Sequence, residues 1–530
     1  SVDPSPRKDS DMNPISAALR LPLAYSSSTP QQTVSLHKAA HPADSPSAQV
    51  NLGQDTRVAD AQTYSARGSL GTPQSRYLWQ QDNTDPLSLH MQGSLRSNTL
   101  SGSFQGLGAT LMEQLVANGG QRVSQSALLA GANNQADAVL LAQQQSELRK
   151  YASNHVTLNL TTASGATVTL GLYSSEKGLA VDAEVQNGTL SDTELKSLAS
   201  LANGFESVIS GLNQQPPRLK LDAMLKLDQN LFTGLQMNAR LDLVDGKQQT
   251  FDLRLNQTTR SVSLQGPNGD LQLNLDTQGG SLLGGTAQRQ AALNNYLAQF
   301  DAAQERGKGD AHLMTLFKDA FRQLNQVDDN SPRPAEHSMP SHTFSRSLLS
   351  GLADFSASIS QTSTRPNPLR LKEEDRFAYQ VSQSTSTQSE GNNVTRQQQQ
   401  QATLDAAWHS SLDSSARLTD GVVGGDYHYR VLREQASSIS RLSILDGELA
   451  EAGVSQQASS SKRVLTMRDG AVQSDISTPR SASKSRDLMA LLDQLFKQEK
   501  ARVEGVESTL DQQLASNSQL WLLQTDPARI

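Results

Sequence analysis

The stretch "NNVTRQQQQQATLDAAWHSSLD", Asn392 to Asp413, decides how the C-terminal half is read. Its centre is a run of five glutamines, Gln397 to Gln401, which on composition alone reads as a low-complexity tail. Parity says otherwise. Val394, Ala402, Leu404, Ala406, Trp408 and Leu412 fall on even positions, whereas Thr395, Thr403, Asp405, His409, Ser411 and Asp413 fall on odd ones. A disordered tract has no reason to hold that register. The period of two predicts one long strand, with Gln398 and Gln400 on the face of Trp408. A helix carrying Leu404, Trp408 and Leu412 at i, i+4, i+8 is the alternative. On either reading the segment is ordered.

Working outward, the same alternation recurs on both sides. Ala353, Phe355, Ala357 and Ile359 share one parity, as do Phe377, Tyr379 and Val381. Tyr427, Tyr429 and Val431 open another long strand, and Asp446-Gly447 and Asp469-Gly470 are hairpin turns. "SRDLMALLDQLFKQEKARVEG" then places Leu488, Leu491, Leu492, Leu495 and Phe496 on one helical face. Residues 344–504 are therefore expected to be an antiparallel β domain closed by a helix. Residues 505–530 form a tail whose apolar run Leu520 to Leu523 is able to dock.

Upstream, Val156, Leu158 and Leu160, then Val168, Leu170 and Leu172, then Leu179 to Val185 predict a hairpin and a third strand. Ser191 and Glu194 form a capping box ahead of Leu195, Leu198, Leu201, Phe205 and Val208 at helical spacing. Pro216-Pro217 follow that helix. A meander comes next, through turns at Asp245-Gly246 and Asn268-Gly269, and then two helices carrying Tyr296, Phe300, Phe317 and Phe321. Residues 155–326 read as an α+β domain and 327–343 as a linker. Residues 76–154 read as a helical segment, on Leu107, Leu111, Leu115 and on "ADAVLLAQQQSELRKYA". Residues 1–75 are rich in Ser, Pro and Gln and read as disordered. The fold class is α+β: antiparallel β meanders with packed helices and a disordered N-terminal region.

Composition narrows function. The chain has 530 residues, room for roughly two to four domains. Aromatics are 4%, which argues against a carbohydrate cleft. The net charge of −7 and the lack of any Lys/Arg run argue against nucleic acid. Cysteine is absent, so disulfides, thiol nucleophiles and Cys-based metal sites are excluded, while the compartment stays open. No apolar run reaches the ~18–20 residues that span a bilayer. The patch Ile15 to Tyr25 is broken by Arg20 and Pro22 and is a poor signal peptide. The expectation is a soluble protein, cytoplasmic or exported without a cleavable signal.

No motif selects a catalytic, cofactor-binding or metal-binding residue. His37 and His41 stand at i, i+4 but in a Ser/Pro-rich stretch, and His337 and His342 lie in the linker. His428, between Tyr427 and Tyr429, is expected to face solvent. Gly307-Lys308-Gly309 precede a helix as a phosphate loop does, but Ala302 replaces the required glycine and Gly309 the required Ser or Thr. The bland reading there is a helix–helix turn capped by Asp310. Gly106 and Gly108 open no βαβ unit, and Glu373 to Arg376, "EEDR", read as a solvated turn.

The segment "VNLGQDTRVADAQTYSARGSL", Val50 to Leu70, and the Ser/Gln-rich start resemble proteobacterial Ser/Gln-rich proteins without an assigned activity. The resemblance implies no fold, cofactor or site residue. Function is expected to be that of a non-enzymatic bacterial scaffold or interaction protein with a protein partner, at the cell envelope or a secretion apparatus. The alternatives are a hydrolase with an unsignposted Ser or carboxylate site, and a lipid- or lipoprotein-binding β module.

Overall fold

The computed structural model describes residues 77–99, 102–130, 137–243, 246–326 and 340–530. The stretch expected to be disordered, His37, His41 and His337 lie outside them.

Among the described residues, fifteen strands form one antiparallel sheet. They are β1 (Tyr77–Trp79), β2 (Val123–Leu129), β3 (Asn154–Thr162), β4 (Thr167–Ser175), β5 (Gly178–Gln186), β6 (Phe232–Asp242), β7 (Gln248–Asn256) and β8 (Thr259–Gly266). There follow β9 (Gly269–Asp276), β10 (Phe355–Gln361), β11 (Arg376–Glu390), β12 (Asn393–Ser411), β13 (Tyr427–Leu445), β14 (Glu448–Arg468) and β15 (Ala471–Asp487). The spatial order is β1-β2-β5-β4-β3, then β6 to β15 in sequence order. The helices are α1 (Pro86–Ser94), α2 (Leu107–Ala117), α3 (Ala138–Lys150), α4 (Asp192–Leu212), α5 (Asp222–Leu225) and α6 (Thr286–Gly307). The rest are α7 (Ala311–Asn325), α8 (Pro340–Phe344), α9 (Leu418–Gly424), α10 (Met489–Lys500) and α11 (Leu510–Asn517). This is the expected α+β class.

Local signals placed these elements. Ser191 and Glu194 close the capping box of α4. Asp446 and Gly447, and likewise Asp469 and Gly470, all have positive φ, the signature of tight hairpin turns that suit the strand twist. At β8–β9 the turn residues are Pro267 and Asn268, one position earlier than the sequence suggests, because Gly266 pairs with Gly269. Gly269 is held there by close approach: a Cβ would lie 2.1 Å from the Ser360 carbonyl oxygen of β10.

β9 and β10 pair over seven residues, so the sheet runs without a break through both expected domains. The core follows it as one continuous cluster from Leu87 to Leu523. An aromatic group seals the junction. Phe300 lies 5.0 Å from Phe321 and 5.8 Å from Tyr379, and Tyr296 lies 5.1 Å from Phe355. Edge-to-face contacts of this kind add to area burial.

The glutamine tract is the middle of β12, paired with β11 and β13 on its two sides. Gln398 and Gln400 point inward and are buried, whereas Gln399 and Gln401 are more accessible. The buried amides organise irregular backbone. Gln398 Oε1 accepts from Ser350 N (2.8 Å), and Gln400 Oε1 accepts from Leu523 N (3.0 Å). Ser438 Oγ donates to the Trp521 carbonyl and Gln456 Nε2 to the Leu522 carbonyl, both at 2.8 Å. Trp521, Leu522 and Leu523 are thereby seated in the core, and their backbone groups find partners no strand supplies. The last residues thus hold α11 and a docked segment.

Candidate binding face and the histidine block beside it

Most of the helices pack on one face of the sheet, and the other face is largely open. Cross-strand pairing sets the contrast residue by residue. On the packed face a row of paired residues reads Leu158, Met237, Leu253, Val262, Leu273, Ala357, Val381, Ala402, Ala436 and Ala458. One residue along each strand, the opposite face reads Thr157, Asn238, Asp252, Ser263, Gln272, Ser358, Gln380, Thr403, Gln435, Ser459 and Ser481. At about 4.8 Å between strands, that row of hydroxyls, amides and one carboxylate runs for roughly 48 Å.

Three shallow depressions follow this face end to end. The first, about 600 Å³, lies over β3 and β6 to β9 and is lined by His155, Arg240, Arg254, Asp252 and Gln272. The second, about 380 Å³, continues over β9 to β12 between Gln272, Ser358, Gln380 and Thr403. The third, about 500 Å³, runs from Thr403 past Arg433 and Gln435 to Arg480 and Ser481 on β15. Gln272 and Asn274 belong to the first two and Thr403 to the last two, so the three form one polar trough.

Charges along it are partly matched. Arg254 Nε pairs with Asp252 at 2.7 Å, Arg376 with Asp405 at 2.9 Å, and Arg240 donates to Gln248 Oε1 at 2.6 Å. Burial, and after it the charge of Arg240, lowers the pKa of His155, which keeps that ring neutral at physiological pH.

Each end of the trough differs. At the β2–β5 end α3 crosses the open face, packing Leu148 on Leu128 and Ala180. Its Arg149 pairs with Asp182 and donates to Gln80 Oε1 (2.8 Å) and Ser124 Oγ (3.1 Å). At the far end β15 is the last strand of the sheet, and most of its 17 residues are exposed.

Beside the trough, at the ends of β12 to β14, α9 and residues 362–375 cover a second small core. It comprises Ala407, Val422, Tyr427, Tyr429, Leu465 and Met467. His409 lies at its centre with a fully buried side chain. Its Nδ1 is 2.6 Å from Asp375 Oδ1 and its Nε2 is 3.2 Å from Glu373 Oε2. The Tyr427 hydroxyl donates to the same Glu373 oxygen at 2.6 Å and accepts from Asn367 Nδ2 at 3.1 Å. The Tyr427 and Tyr429 rings lie 5.0 and 4.9 Å from the imidazole.

Burial alone disfavours an imidazolium, but the hydrogen bonds and charges of Asp375, then of Glu373, outweigh it and raise the His409 pKa. Burial, and after it the Glu373 carboxylate, pushes the Tyr427 hydroxyl up to about 12. The arrangement is a closed ionic clamp. It ties residues 367–375 to β12 and β13, and its enclosed imidazole lines none of the three depressions above.

This overturns one expectation. "EEDR" is no solvated turn, since Glu373 is buried and Asp375 half-buried against His409. The remaining candidates stay apart. His428 is half-exposed, with Nδ1 3.0 Å from Thr466 Oγ1. His342 lies in α8. Lys308 is the left-handed C-cap of α6, Gly307 and Gly309 pack against the Phe377 ring, and Asp310 caps α7 through Leu313 N at 2.7 Å. Gly108 packs against Phe205 and Ile209, and Gly106 N donates to Glu206 Oε1 at 2.6 Å. Among the described residues no group of three or more His, Cys, Asp or Glu is arranged to hold a metal ion. Sequence reasoning missed His409 with Glu373, Asp375 and Tyr427. The one signal was His409 itself, a histidine in a strand beside Trp408.

No protein-family model, curated protein or solved structure is similar to this chain.

Proposed function

We propose that the protein is a non-enzymatic scaffold whose open sheet face holds a protein partner. The observation that carries this reading is the trough, a hydrogen-bonding row crossing eleven strands on the face opposite the core. Its hydroxyl, amide and guanidinium lining offers hydrogen bonds to a polar partner and little to an acyl chain. The rigid sheet beneath it needs no rearrangement to present that surface, which lowers the ordering cost of association. A hydrolytic reading finds less support, because His409 is sealed beneath Tyr427 and Tyr429. Among the described residues no helix is long and apolar enough to cross a membrane.

The test places a photoreactive side chain at Gln380 or Gln435, on the trough floor, in the intact chain. Illumination in cells of the source organism is expected to yield a discrete adduct with another protein. A bulky Ser358→Trp substitution should diminish that adduct while the melting temperature stays unchanged. The reading is overturned if no adduct forms from either position, or if the intact chain turns over generic ester or glycoside substrates.

A further inference from the structure

The sheet ends on β15, whose outer edge is paired to no strand among the described residues. An uncovered strand of this length presents a row of backbone donors and acceptors, which natural sheets usually blunt or use. Most of its side chains are exposed, although the last turn, Pro527–Arg529, packs against it. The chain end returns near Arg486, whose guanidinium donates to the Ile530 carbonyl at 3.4 Å.

The charges on this edge are one-sided. From Ile476 to Arg486 the sequence is "ISTPRSASKSR", with three cations and no acid. Asp475, just before it, is occupied by both Nε and Nη2 of Arg463, at 2.8 and 2.7 Å. Asp487, just after it, accepts from Met489 N at 2.8 Å and so belongs to the start of α10. Arg480 and Lys484 make no ion pair among the described residues. Arg480, Lys484 and Arg486 share the parity of Ala482 and hence the face of the packed row, where Arg486 also donates to the buried Gln456 Oε1. The polar trough reaches this edge on the opposite face, past Arg433, Pro479 and Ser481.

We infer that β15 accepts a strand from an acidic partner, laid along Ile476 to Arg486 and carrying Asp or Glu at alternate positions on the face of Arg480 and Lys484. This rests on the interaction reading above and names the partner's chemistry. Main-chain ladder bonds supply the docking, and the alternating acids supply the selection. Pro479 has no N–H to donate, so it leaves one gap in what the edge offers. A second copy of this chain is a poor occupant. Antiparallel self-pairing brings Arg480, Lys484 and Arg486 of both copies close together, and like charges across strands repel.

The test uses the full chain and two fluorescent peptides of about twelve residues, one alternating Glu with Thr and Val, the other alternating Lys with Thr and Val. Fluorescence anisotropy should show binding of the acidic peptide and none of the basic one. Amide hydrogen exchange should slow across 476–486 on binding. Arg480→Glu with Lys484→Glu should weaken the acidic peptide by about tenfold or more and admit the basic one, with the melting temperature unchanged. Equal binding by the charge-reversed chain, no slowing of exchange on β15, or a dimer of the wild-type chain in sedimentation would each overturn the assignment. If the charge-reversed chain still gives the adducts from Gln380 and Gln435, the edge assignment fails and the scaffold reading stands.

Discussion

His409 is held between two carboxylates, and its contribution to stability depends on pH. The folded ring binds its proton more tightly than the unfolded one, because its pKa is raised. Its stabilisation is therefore complete below the unfolded pKa, near 6.5, and is lost as pH rises through the folded value. His409→Ala leaves Glu373 and Asp375 without that cation and is expected to cost about 3–5 kcal/mol at pH 6. Urea unfolding at pH 6 and pH 9 checks this: the gap between wild type and variant should narrow at the higher pH. The glutamines allow a sharper contrast. Gln400→Leu strips Leu523 N of its buried acceptor and should cost about 1–3 kcal/mol. Gln399→Leu, one residue away with a half-buried side chain on the open face, should stay within about 0.5 kcal/mol. Equal effects from the two would show that the tract's alternation does not set its energetics.

At the scale of elements, β12 is an interior strand. Gln399 pairs with Ser384 of β11 and Ile439 of β13, so proline there removes a ladder donor and forces the backbone away from both neighbours. Gln399→Pro is expected to abolish cooperative unfolding of the C-terminal sheet, read as loss of strand signal in far-UV circular dichroism; a wild-type melt would show the tract to be dispensable. Elements such as β12 were legible because period two survives even in glutamine, through Val394, Ala402, Leu404 and Ala406. α4 was legible through its capping box and α7 through Asp310. The clamp around His409 was not, because Glu373, Asp375 and Tyr427 are brought to it by strands and a loop whose adjacency no local period records.

For the whole molecule, a core continuous from Leu87 to Leu523 implies one cooperative unit. Calorimetry of the intact chain should give a single transition. Residues 155–326 alone would expose the β9 edge and remove Phe355 and Tyr379 from the faces of Tyr296 and Phe300. That fragment should melt at least about 10 °C lower or aggregate, and two independent transitions at the intact temperature would contradict the single core. The sequence by itself determined most strands from β3 onward, their two faces, most hairpin turns and the helix caps, since each is encoded within a few neighbouring residues, but the segment 76–154 that it read as helical also carries β1 and β2. Only the tertiary structure decided that β9 joins β10, that Trp521 to Leu523 end in the core, that a polar trough crosses eleven strands and that β15 is left open. Those features depend on which strands lie side by side, and pairing between distant segments is settled by burial summed over the whole sheet, which no local pattern of residues carries.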